Sequence, residues 1–317
     1  MTLAADPHHP FDDLDRRLAD SAAAGGPPKA SAALTHILTA GGKRLRPHLV
    51  RAFGALLGGD PRRLVDLALA VEMLHAATLV HDDVIDNAQT RRGRPALHVK
   101  TDGSVALLVG DLYLARCGVH LAAVGDPRAT RELFGALETI VRGELGQRDR
   151  RFDLGQTEAD YVETIQRKTA SLVEAACAAA VVVSGGADAM VERAREYGHH
   201  LGLAFQIVDD VLDYTADARE LGKPVGNDIR EGTVTLPLIL ALRAGGRNLR
   251  ATLKAARQAG DFGPVVEAVR GGRAIPACTE LADRHAAAAV AALDAFPGRH
   301  ERAELADLAL ALNSRRV

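Results

Sequence analysis

Hydrophobic residues recur at three- and four-residue spacing along most of the chain, and the strict alternation typical of strands is nearly absent. This periodicity predicts helices. One helix is expected to begin after Asp60-Pro61, because an aspartate N-cap followed by proline favours a helix start, and to run to about Asp86. The pattern therefore predicts an all-α protein of helices packed on helices.

Two further long helices follow from the same periodicity. Thr157 and Asp160 are spaced as in a capping box, and the apolar spacing continues from there to Ser184. The third long helix covers 189–214. Shorter helices are expected over 104–123, 129–147 and 234–244, with a final amphipathic helix in the last twelve residues.

Glycine- and proline-rich segments between these helices are spaced like interhelix loops, and none is long enough to be a domain linker. A single domain over 1–317 is therefore predicted, with 1–28 as a mobile N-terminal segment. With 7 Phe, 4 Tyr and no Trp, the core must be filled mainly by Ala, Leu and Val, which also favours helix packing.

Charge and cysteine content exclude some classes of protein. A net charge of −2 gives no basic footprint for nucleic acid. Three cysteines without metal or redox spacing favour a reducing cytosol, so a cytoplasmic location is expected. The first ten residues lack a targeting signal, and the longest uncharged stretch, 175–187, is shorter than the ~18 residues that span a bilayer. We therefore expect no transmembrane segment.

The sequence Asp-Asp-x-x-Asp occurs twice, as Asp82, Asp83 and Asp86 and as Asp209, Asp210 and Asp213. Residues four apart share a helix face, so each motif holds a carboxylate pair about 6 Å apart along the axis. Such pairs in apolar helices are unfavourable without a cation, and Mg²⁺ suits one or two carboxylates plus substrate phosphates. Two matching stripes predict two walls of one cavity; solvated acidic helix ends are the simpler alternative.

Basic residues lie close to both acidic motifs in the sequence. Three cations follow a glycine pair in GGKRLRP at 41–47, Arg91-Arg92 follows the first acidic motif, and Lys223 follows the second. Lys168 is expected on a helix. Each cluster alone is typical of a solvated loop, but together with six carboxylates they favour a site that binds polyphosphate.

Over residues 41–237 the chain resembles the trans-prenyltransferases, or polyprenyl synthetases. Seven ordered blocks carry the resemblance: GGKRLRP, ExxHxxTLVHDDVID with RRGRPALH, VGD, GELGQ, RKTASL, GLAFQIVDDVLD and GKPVGNDIREGTVTLP. The resemblance implies the isoprenoid synthase type of fold, in which antiparallel helices pack around a central cavity, usually in a homodimer. It also implies that the enzyme condenses isopentenyl diphosphate with an allylic diphosphate, and that a long product can partition into a membrane.

The resemblance assigns a role to each motif residue. About three Mg²⁺ ions per site would be ligated by Asp82, Asp86 and Asp209. The catalytic set would also include Asp83, Asp210 and Asp213, which complete the acidic rims, with Lys168 and Gln206. The allylic diphosphate would be held by Arg91, Lys168, Thr169, Gln206 and Lys223. Isopentenyl diphosphate would be held by Lys43, Arg46, His75 and Arg92. Many relatives have lysine where this chain has Thr233, so no contact is expected from that position.

The resemblance also bears on product length. Ala77 and Thr78 lie about one helical turn before Asp82. In the family, bulky residues at this place block the elongation tunnel, whereas small ones let the product grow. The sequence therefore favours a long-chain product of about seven to ten isoprene units. A residue on another helix that closes the tunnel earlier would give a geranylgeranyl or farnesyl product instead.

Three other functions remain open. A terpene cyclase also uses an aspartate-rich helix, but it has no use for a second diphosphate site such as GGKRLRP. A di-iron helical bundle is suggested by the Glu-x-x-His pairs at Glu72–His75 and Glu196–His199, although the further glutamates it needs are not evident. A regulatory subunit of a heteromeric prenyltransferase is disfavoured because all six aspartates are present.

Overall fold

The regular structure is almost entirely helical, which confirms the all-α fold class. The computed structural model describes residues 11–24, 31–42, 44–216 and 225–312, except for the side chains of Arg148 and Asp149. The α-helices are α1 Leu14–Ala23, α2 Ser31–Leu34, α3 Leu45–Leu56, α4 Pro61–Ile85, α5 Leu97–Lys100, α6 Gly103–Val124, α7 Pro127–Asp149, α8 Glu158–Ile165, α9 Ser171–Val183, α10 Asp188–Thr215, α11 Asn227–Glu231, α12 Leu236–Ala259, α13 Gly263–Arg270, α14 Ala274–Ala292 and α15 His300–Ala311. Leu38–Ala40 and Leu293–Ala295 form 3₁₀ turns.

The two helix starts predicted from capping residues are confirmed. The side chain of Asp60 accepts a hydrogen bond from the backbone N–H of Arg62 at 2.9 Å, with Pro61 at the first helical position. The hydroxyl of Thr157 accepts from the N–H of Asp160 at 3.2 Å, and the carboxylate of Asp160 accepts from the N–H of Thr157 at 2.9 Å. These bonds join residues two or three apart, so the sequence alone specifies them.

The chain divides into two compact units, each assembled from separate segments. Unit 1 comprises Met1–Gly135, Ala175–Ala194 and Phe296–Arg302, and unit 2 comprises Ala136–Glu174, Arg195–Ala295 and Ala303–Val317. The single domain expected over 1–317 stays a prediction.

In unit 1, α4 is the central helix and packs against α3 and α6. Its Met73 and Leu74 are fully buried, as are Tyr113 and Cys117 of α6. Gly110 lies where α6 approaches α4 most closely, because a Cβ atom at this position would overlap the imidazole of His81. The glycine of the VGD block is therefore explained by helix packing.

Helix α1 lies within the segment 1–28 that was expected to be mobile. Its Leu14, Leu18 and Ala22 recur at four-residue spacing and are buried, and α1 packs against α4 and α6. In addition, the hydroxyl of Ser21 hydrogen-bonds to Nε2 of His120 at 2.8 Å. Leu14–Ala23 thus forms a helix whose buried apolar face offsets its loss of conformational freedom, and the mobility expected of 1–28 stays a prediction.

In unit 2, α8 and α9 were expected to form one uninterrupted α-helix. Instead, Gln166–Ala170 between them forms a π-helical turn. The surrounding core contains Tyr161 and Ile165 from α8 and Leu203 and Ile207 from α10, together with apolar residues of α12, α13 and α14. Turns of this kind are frequent at functional sites, and this one carries Lys168 and Thr169.

Two helices, α4 and α6, have the length and composition of a membrane span, at a mean hydropathy of 1.5. The most apolar part of α4 is 72% buried, as in the core helix of a soluble protein, whereas that of α6 is only 33% buried. Large apolar side chains of α6 are accordingly exposed, including Leu107, Leu108 and Val119. The expected lack of a transmembrane segment stays a prediction.

Candidate active site

The first acidic motif lies at the C-terminal end of α4 and divides into exposed and buried carboxylates. Asp82 is half-buried and Asp86, the C-cap residue, is exposed. Asp83 is 1% exposed, and its Oδ1 accepts hydrogen bonds from Nε of Arg91 at 2.8 Å and from Nη2 at 2.5 Å. Asp83 of the expected acidic rim is thus enclosed and anchors Arg91, and its catalytic role stays a prediction.

A two-stranded antiparallel hairpin holds Arg91 and Arg92. Its strands are β1 Thr90–Arg91 and β2 Arg94–Pro95. Both loop residues have positive φ, +52° for Arg92 and +72° for Gly93, as in a type I′ turn. The left-handed conformation is costly for arginine, and such conformations cluster at ligand sites. The guanidinium of Arg92 donates to the carbonyl of Gly41, so the hairpin contacts the glycine pair of the GGKRLRP block.

Several guanidinium groups surround a single buried carboxylate in unit 1. Arg44 forms an ion pair with Glu72 at 2.6 Å, and the pKa of Arg46 is lowered by burial and by Arg92, although Glu72 opposes this shift. Burial, together with the charges of Arg46 and Arg92, holds the pKa of His75 well below its ordinary value. Because His75 is neutral and Glu72 is the buried counter-charge, the cluster favours a bound anion.

Arg46, His75 and Arg92, three of the four residues predicted to hold isopentenyl diphosphate, thus belong to one cationic cluster. The fourth, Lys43, lies outside the described residues, as does Lys223 of the predicted allylic site. Arg44 was not predicted as a site residue. Its backbone is left-handed, with φ +45°, at the N-cap of α3.

The second acidic motif lies on α10 in unit 2 and shows the same division. Asp209 is exposed, whereas Asp210 is 4% and Asp213 1% exposed. Oδ2 of Asp213 accepts from the backbone N–H of Asp228 at 3.1 Å. Asp210 and Asp213 are thus enclosed like Asp83, and their part in the acidic rim stays a prediction.

Asp210 is the centre of a hydrogen-bonded chain that links three elements. The hydroxyl of Tyr161 donates to Oδ2 at 2.7 Å, and the amide of Gln206 donates to Oδ1 at 2.8 Å. Oε1 of Gln206 in turn accepts from the hydroxyl of Thr169 at 2.7 Å. Burial, reinforced by Asp228, raises the pKa of Asp210 well above its ordinary value. The chain ties α8, the π-helical turn and α10 together beside Asp209.

Lys168 is held by residues of the GELGQ block on α7. Its Nζ lies 2.7 Å from Oε2 of Glu144 and 3.3 Å from Oε1 of Gln147. The π-helical turn that carries Lys168 also packs closely against α10, because a Cβ atom at Gly202 of α10 would lie 2.5 Å from Cα of Ala170. The structure thus places the predicted allylic residues Lys168, Thr169 and Gln206 together.

The carboxylates fit a hard divalent cation on chemical grounds. Among the residues that the structure describes, no group of three or more His, Cys, Asp or Glu side chains could hold a metal ion. Mg²⁺ does not need such a cage, since it is usually held by one or two carboxylates plus substrate phosphates and water. The half-buried Asp82 and the exposed Asp86 at the end of α4 therefore fit Mg²⁺ that arrives with a phosphate ligand.

The predicted chain-length residues lie on α4 before the acidic motif. Ala77 is fully buried, and Thr78 is half-buried with its hydroxyl donating to the carbonyl of His75 at 2.9 Å. Both positions are thus occupied by small side chains, as the prediction of a long product requires.

Sequence reasoning missed four residues that hold site residues in place. Glu72 was read as an ordinary helix residue, and Glu144, Gln147 and Tyr161 were not singled out for a role. Their partners are 21 to 49 residues away, so no local pattern reveals them. The one available signal was that Glu72 stands in an apolar stretch of sequence, because a buried glutamate needs a partner for its charge.

The contacts of the Glu-x-x-His pairs do not favour a di-iron bundle. Glu72 is paired with Arg44, and Nδ1 of His199 lies 2.8 Å from Oε1 of Glu174. A di-iron centre needs several carboxylates and histidines converging on one point. Such convergence is not found in the described ranges.

Comparisons with known proteins agree with this arrangement. A family model described as polyprenyl synthetase matches residues 27–268. The chain is 37% identical over 291 residues to heptaprenyl diphosphate synthase component 2 of Geobacillus stearothermophilus, covering 91% of this chain and 90% of that protein. It is 37% identical over 259 residues to a short chain isoprenyl diphosphate synthase of Methanothermobacter thermautotrophicus, covering 80% of each.

A solved structure shows the same likeness over nearly the whole chain. It is a polyprenyl synthase from Caulobacter crescentus CB15 complexed with calcium and isoprenyl diphosphate. The two share 39% sequence identity and superpose with a TM-score of 0.91, covering 97% of this chain and 95% of that one.

Proposed function

We propose, from the premise that the chain belongs to the polyprenyl synthetase family, that it makes a long-chain all-trans polyprenyl diphosphate. The chain is a trans-prenyltransferase with an all-α isoprenoid synthase fold. The proposed reaction is the repeated condensation of isopentenyl diphosphate with an allylic diphosphate.

The observation that carries the proposal is the pairing of a cationic cluster with exposed carboxylates in unit 1. Arg46, Arg92 and the neutral His75 offer a site for one diphosphate without metal. Asp82 and Asp86, on the same helix as His75, offer hard oxygen ligands. A reaction between two diphosphate substrates requires both kinds of site, whereas a terpene cyclase requires only one.

Asp82, Asp86 and Asp209 are proposed to hold Mg²⁺ ions together with the allylic diphosphate. When bound, the metal neutralises the negative charge of the departing diphosphate. The side chains of Lys168, Thr169 and Gln206 orient that diphosphate, and Asp83 keeps Arg91 in place through its two hydrogen bonds. Arg46, His75 and Arg92 hold isopentenyl diphosphate. Its double bond attacks the allylic carbon as the allylic C–O bond breaks, and the resulting cation loses a proton to the released diphosphate, which gives the double bond of the product.

The long-chain assignment rests on the small residues Ala77 and Thr78 and on a relative named as a heptaprenyl diphosphate synthase. The test is to incubate the purified chain with Mg²⁺, labelled isopentenyl diphosphate and allylic primers of different length, and then to size the products. Products of about seven to ten isoprene units are expected, with no activity in excess EDTA. A product of three or four units would support the short-chain alternative, which the Methanothermobacter relative represents.

Substitution of Ala77 by Phe should shorten the product, because the ring would obstruct a growing apolar chain about one turn below Asp82. Ala76→Phe is the matched control, since Ala76 is a buried neighbour that points about 100° away around the same helix. Both variants should lose about 1–3 kcal/mol of stability from overpacking. The tunnel assignment would lose its support if the Ala77→Phe variant melted at the same temperature as its control and still gave a product of unchanged length.

We further propose that the chain forms a homodimer in the cytoplasm. The exposed apolar face of α6 supports this, because Leu108, Leu112, Ala115 and Val119 recur at three- and four-residue spacing on one side of the helix. The Geobacillus relative is named as component 2 of its enzyme, so a different partner subunit is the competing occupant of this face.

A further inference from the structure

Two histidines of unit 2 form a close pair that the proposed reaction does not use. His200 on α10 and His285 on α14 are half-buried, and their Nδ1 atoms lie 3.0 Å apart. The ring centroids are 5.2 Å apart. A third ring, that of His199, has its centroid 5.1 Å from the ring of His200, and its Nδ1 contacts Glu174.

The short separation requires at least one unprotonated nitrogen, because two N–H groups directed at each other would repel. Burial, with the charges of His200, His199 and Arg284, lowers the pKa of His285 to about 4. Burial and His199 also lower the pKa of His200, although Glu196 and Glu174 oppose this shift. Both imidazoles are therefore neutral at physiological pH, and neutral imidazole is the form that binds transition metals.

The distance between the two nitrogens restricts the geometry of a shared ion. With metal–nitrogen bonds of about 2.0–2.1 Å, two ligands 3.0 Å apart subtend an angle of about 90° at the metal. That is the angle between neighbouring ligands in square-planar or octahedral coordination, which Cu²⁺ and Ni²⁺ adopt. A tetrahedral ion such as Zn²⁺ would require the nitrogens to separate to about 3.4 Å.

We propose that His200 and His285 form a two-histidine site for a divalent late transition metal, with Cu²⁺ preferred, then Ni²⁺. On binding, the proton that the two Nδ1 atoms share moves to Nε2 of its own ring, so that both Nδ1 atoms carry a lone pair. A small rotation of each ring then turns these lone pairs to the ion while the nitrogens stay about 3.0 Å apart. Water completes the coordination, since no group of three metal-ligating side chains occurs in the described part of the chain. Glu174 and Glu196 supply favourable negative charge, and Arg284 opposes binding.

This site is distinct from the carboxylates of the proposed active site. His200 precedes Asp209 by nine residues on α10, which corresponds to about 13 Å along the helix. The two sites also differ in chemistry, because imidazole nitrogen selects late transition metals whereas carboxylate oxygen suits Mg²⁺. An ion bound by both histidines would cross-link α10 to α14 and would use none of the proposed active-site residues.

The site is tested with full-length protein that has been freed of metal with EDTA and then dialysed. Cu²⁺ or Ni²⁺ is titrated by calorimetry in the presence of excess Mg²⁺, and the melting temperature is followed in parallel. The wild-type chain should bind one equivalent more tightly than the background from its other ten histidines, and its melting temperature should rise. The electron paramagnetic resonance spectrum of bound Cu²⁺ should show two coordinated nitrogens.

His285→Gln and His200→Gln should each lower the affinity for the tightly bound metal ion at least about tenfold. His300→Gln, which replaces an exposed histidine, should leave that affinity unchanged. Arg284→Ala should tighten binding, because it removes an opposing charge. Two histidine variants are measured because a folding defect in one of them would not explain weaker binding in the other. Equal affinity and stoichiometry in the wild type and both histidine variants would overturn the site, and a Zn²⁺ affinity above that for Cu²⁺ would overturn the coordination geometry.

Discussion

Within each Asp-Asp-x-x-Asp motif, identical residues serve different purposes. Asp82 and Asp83 are adjacent in sequence, yet the first is half-buried and the second is enclosed and bonded to Arg91. Adjacent helix positions point about 100° apart, so one of them faces solvent and the other the interior. The first motif therefore combines a carboxylate that we propose as a cation ligand with one that anchors a neighbouring arginine.

The hydroxyl of Tyr161 is predicted to position the second motif. Tyr161→Phe removes the donor to Oδ2 of Asp210 and leaves a buried acceptor unsatisfied, which should cost about 1–3 kcal/mol of stability. Because Asp210 adjoins Asp209 and Gln206, kcat should fall and the Mg²⁺ requirement should rise, while KM for isopentenyl diphosphate stays constant. Steady-state kinetics over a range of Mg²⁺ concentration measures kcat, the Mg²⁺ requirement and KM separately.

Tyr197→Phe is the matched control for that variant. Tyr197 is also buried, and its hydroxyl donates to the carbonyl of Leu305 at 2.8 Å. It precedes Asp210 by thirteen residues on α10, which corresponds to about 20 Å along the helix. It should lose comparable stability and keep its kinetics. If both variants showed the same Mg²⁺ dependence as the wild type, Tyr161 would have no positioning role.

The site could be predicted from the sequence only where a motif repeats or where charges are adjacent. The six aspartates and the pair Arg91-Arg92 were found in this way. By contrast, nothing local indicates that Glu144 contacts Lys168 or that Arg44 contacts Glu72, because those contacts depend on how distant helices pack. The division of each acidic motif into exposed and buried members depends on packing for the same reason.

At the scale of elements, α4, α6, α7 and α10 were predicted close to their observed bounds, whereas α14 and the second half of α12 were missed, as were several short features. Twenty or more periodic residues specify α4 and α10, and α4 also begins at a capping residue, Asp60. The hairpin at 90–95 has two-residue strands, which are too short to show alternation. Helix α1 was missed because its apolar face only becomes evident once α4 and α6 are present to cover it.

Gly202 sets the approach of α10 to the π-helical turn. Gly202→Ala should destabilise the protein by about 1–3 kcal/mol, because the new Cβ atom would meet backbone at Ala170, which cannot easily move aside. Gly146→Ala on α7 has open space around its new Cβ and should gain up to about 1 kcal/mol from helix propensity. Urea unfolding of both variants checks the sign of each effect, and a stabilised Gly202→Ala variant would contradict the close packing.

Acid should destabilise the protein through the pair on α10 and α14. The pKa of His285 is about 4 in the folded state against about 6.5 when the chain is unfolded, so the unfolded state binds more protons between these values. The stability that this histidine contributes is complete above pH 6.5 and is lost as the pH falls from 6.5 to 4. In His285→Asn, urea unfolding at pH 7 and pH 4.5 should differ less than in the wild type. An identical pH dependence would show that this pair is not a source of acid sensitivity.

At the scale of the whole molecule, the exposed face of α6 should determine the oligomeric state. Leu108 is 67% exposed, which is unusual for leucine in the middle of a long apolar helix. Leu108→Glu should convert the proposed homodimer to monomers, because it places a charge in an apolar interface. Leu310→Glu on α15 is the control, since that leucine is also exposed, at 51%, but lies on another helix. Light scattering after gel filtration distinguishes the outcomes, and a wild-type monomer would contradict the dimer.

The π-helical turn at Gln166–Ala170 changes what a single-residue deletion would do to this protein. A wider turn holds one more residue than the same length of α-helix, so it resets the rotational phase of α9 relative to α8 by about 100°. Tyr161 of α8 can thus point toward α10 while Ala170, the last residue of the turn, does so as well. Removing one residue would give a smoother helix by every local measure, yet Lys168 would no longer face Glu144 and Thr169 would no longer face Gln206. The proposed allylic site therefore requires the irregular helix, and natural variants of this segment should conserve its length more strictly than its side chains.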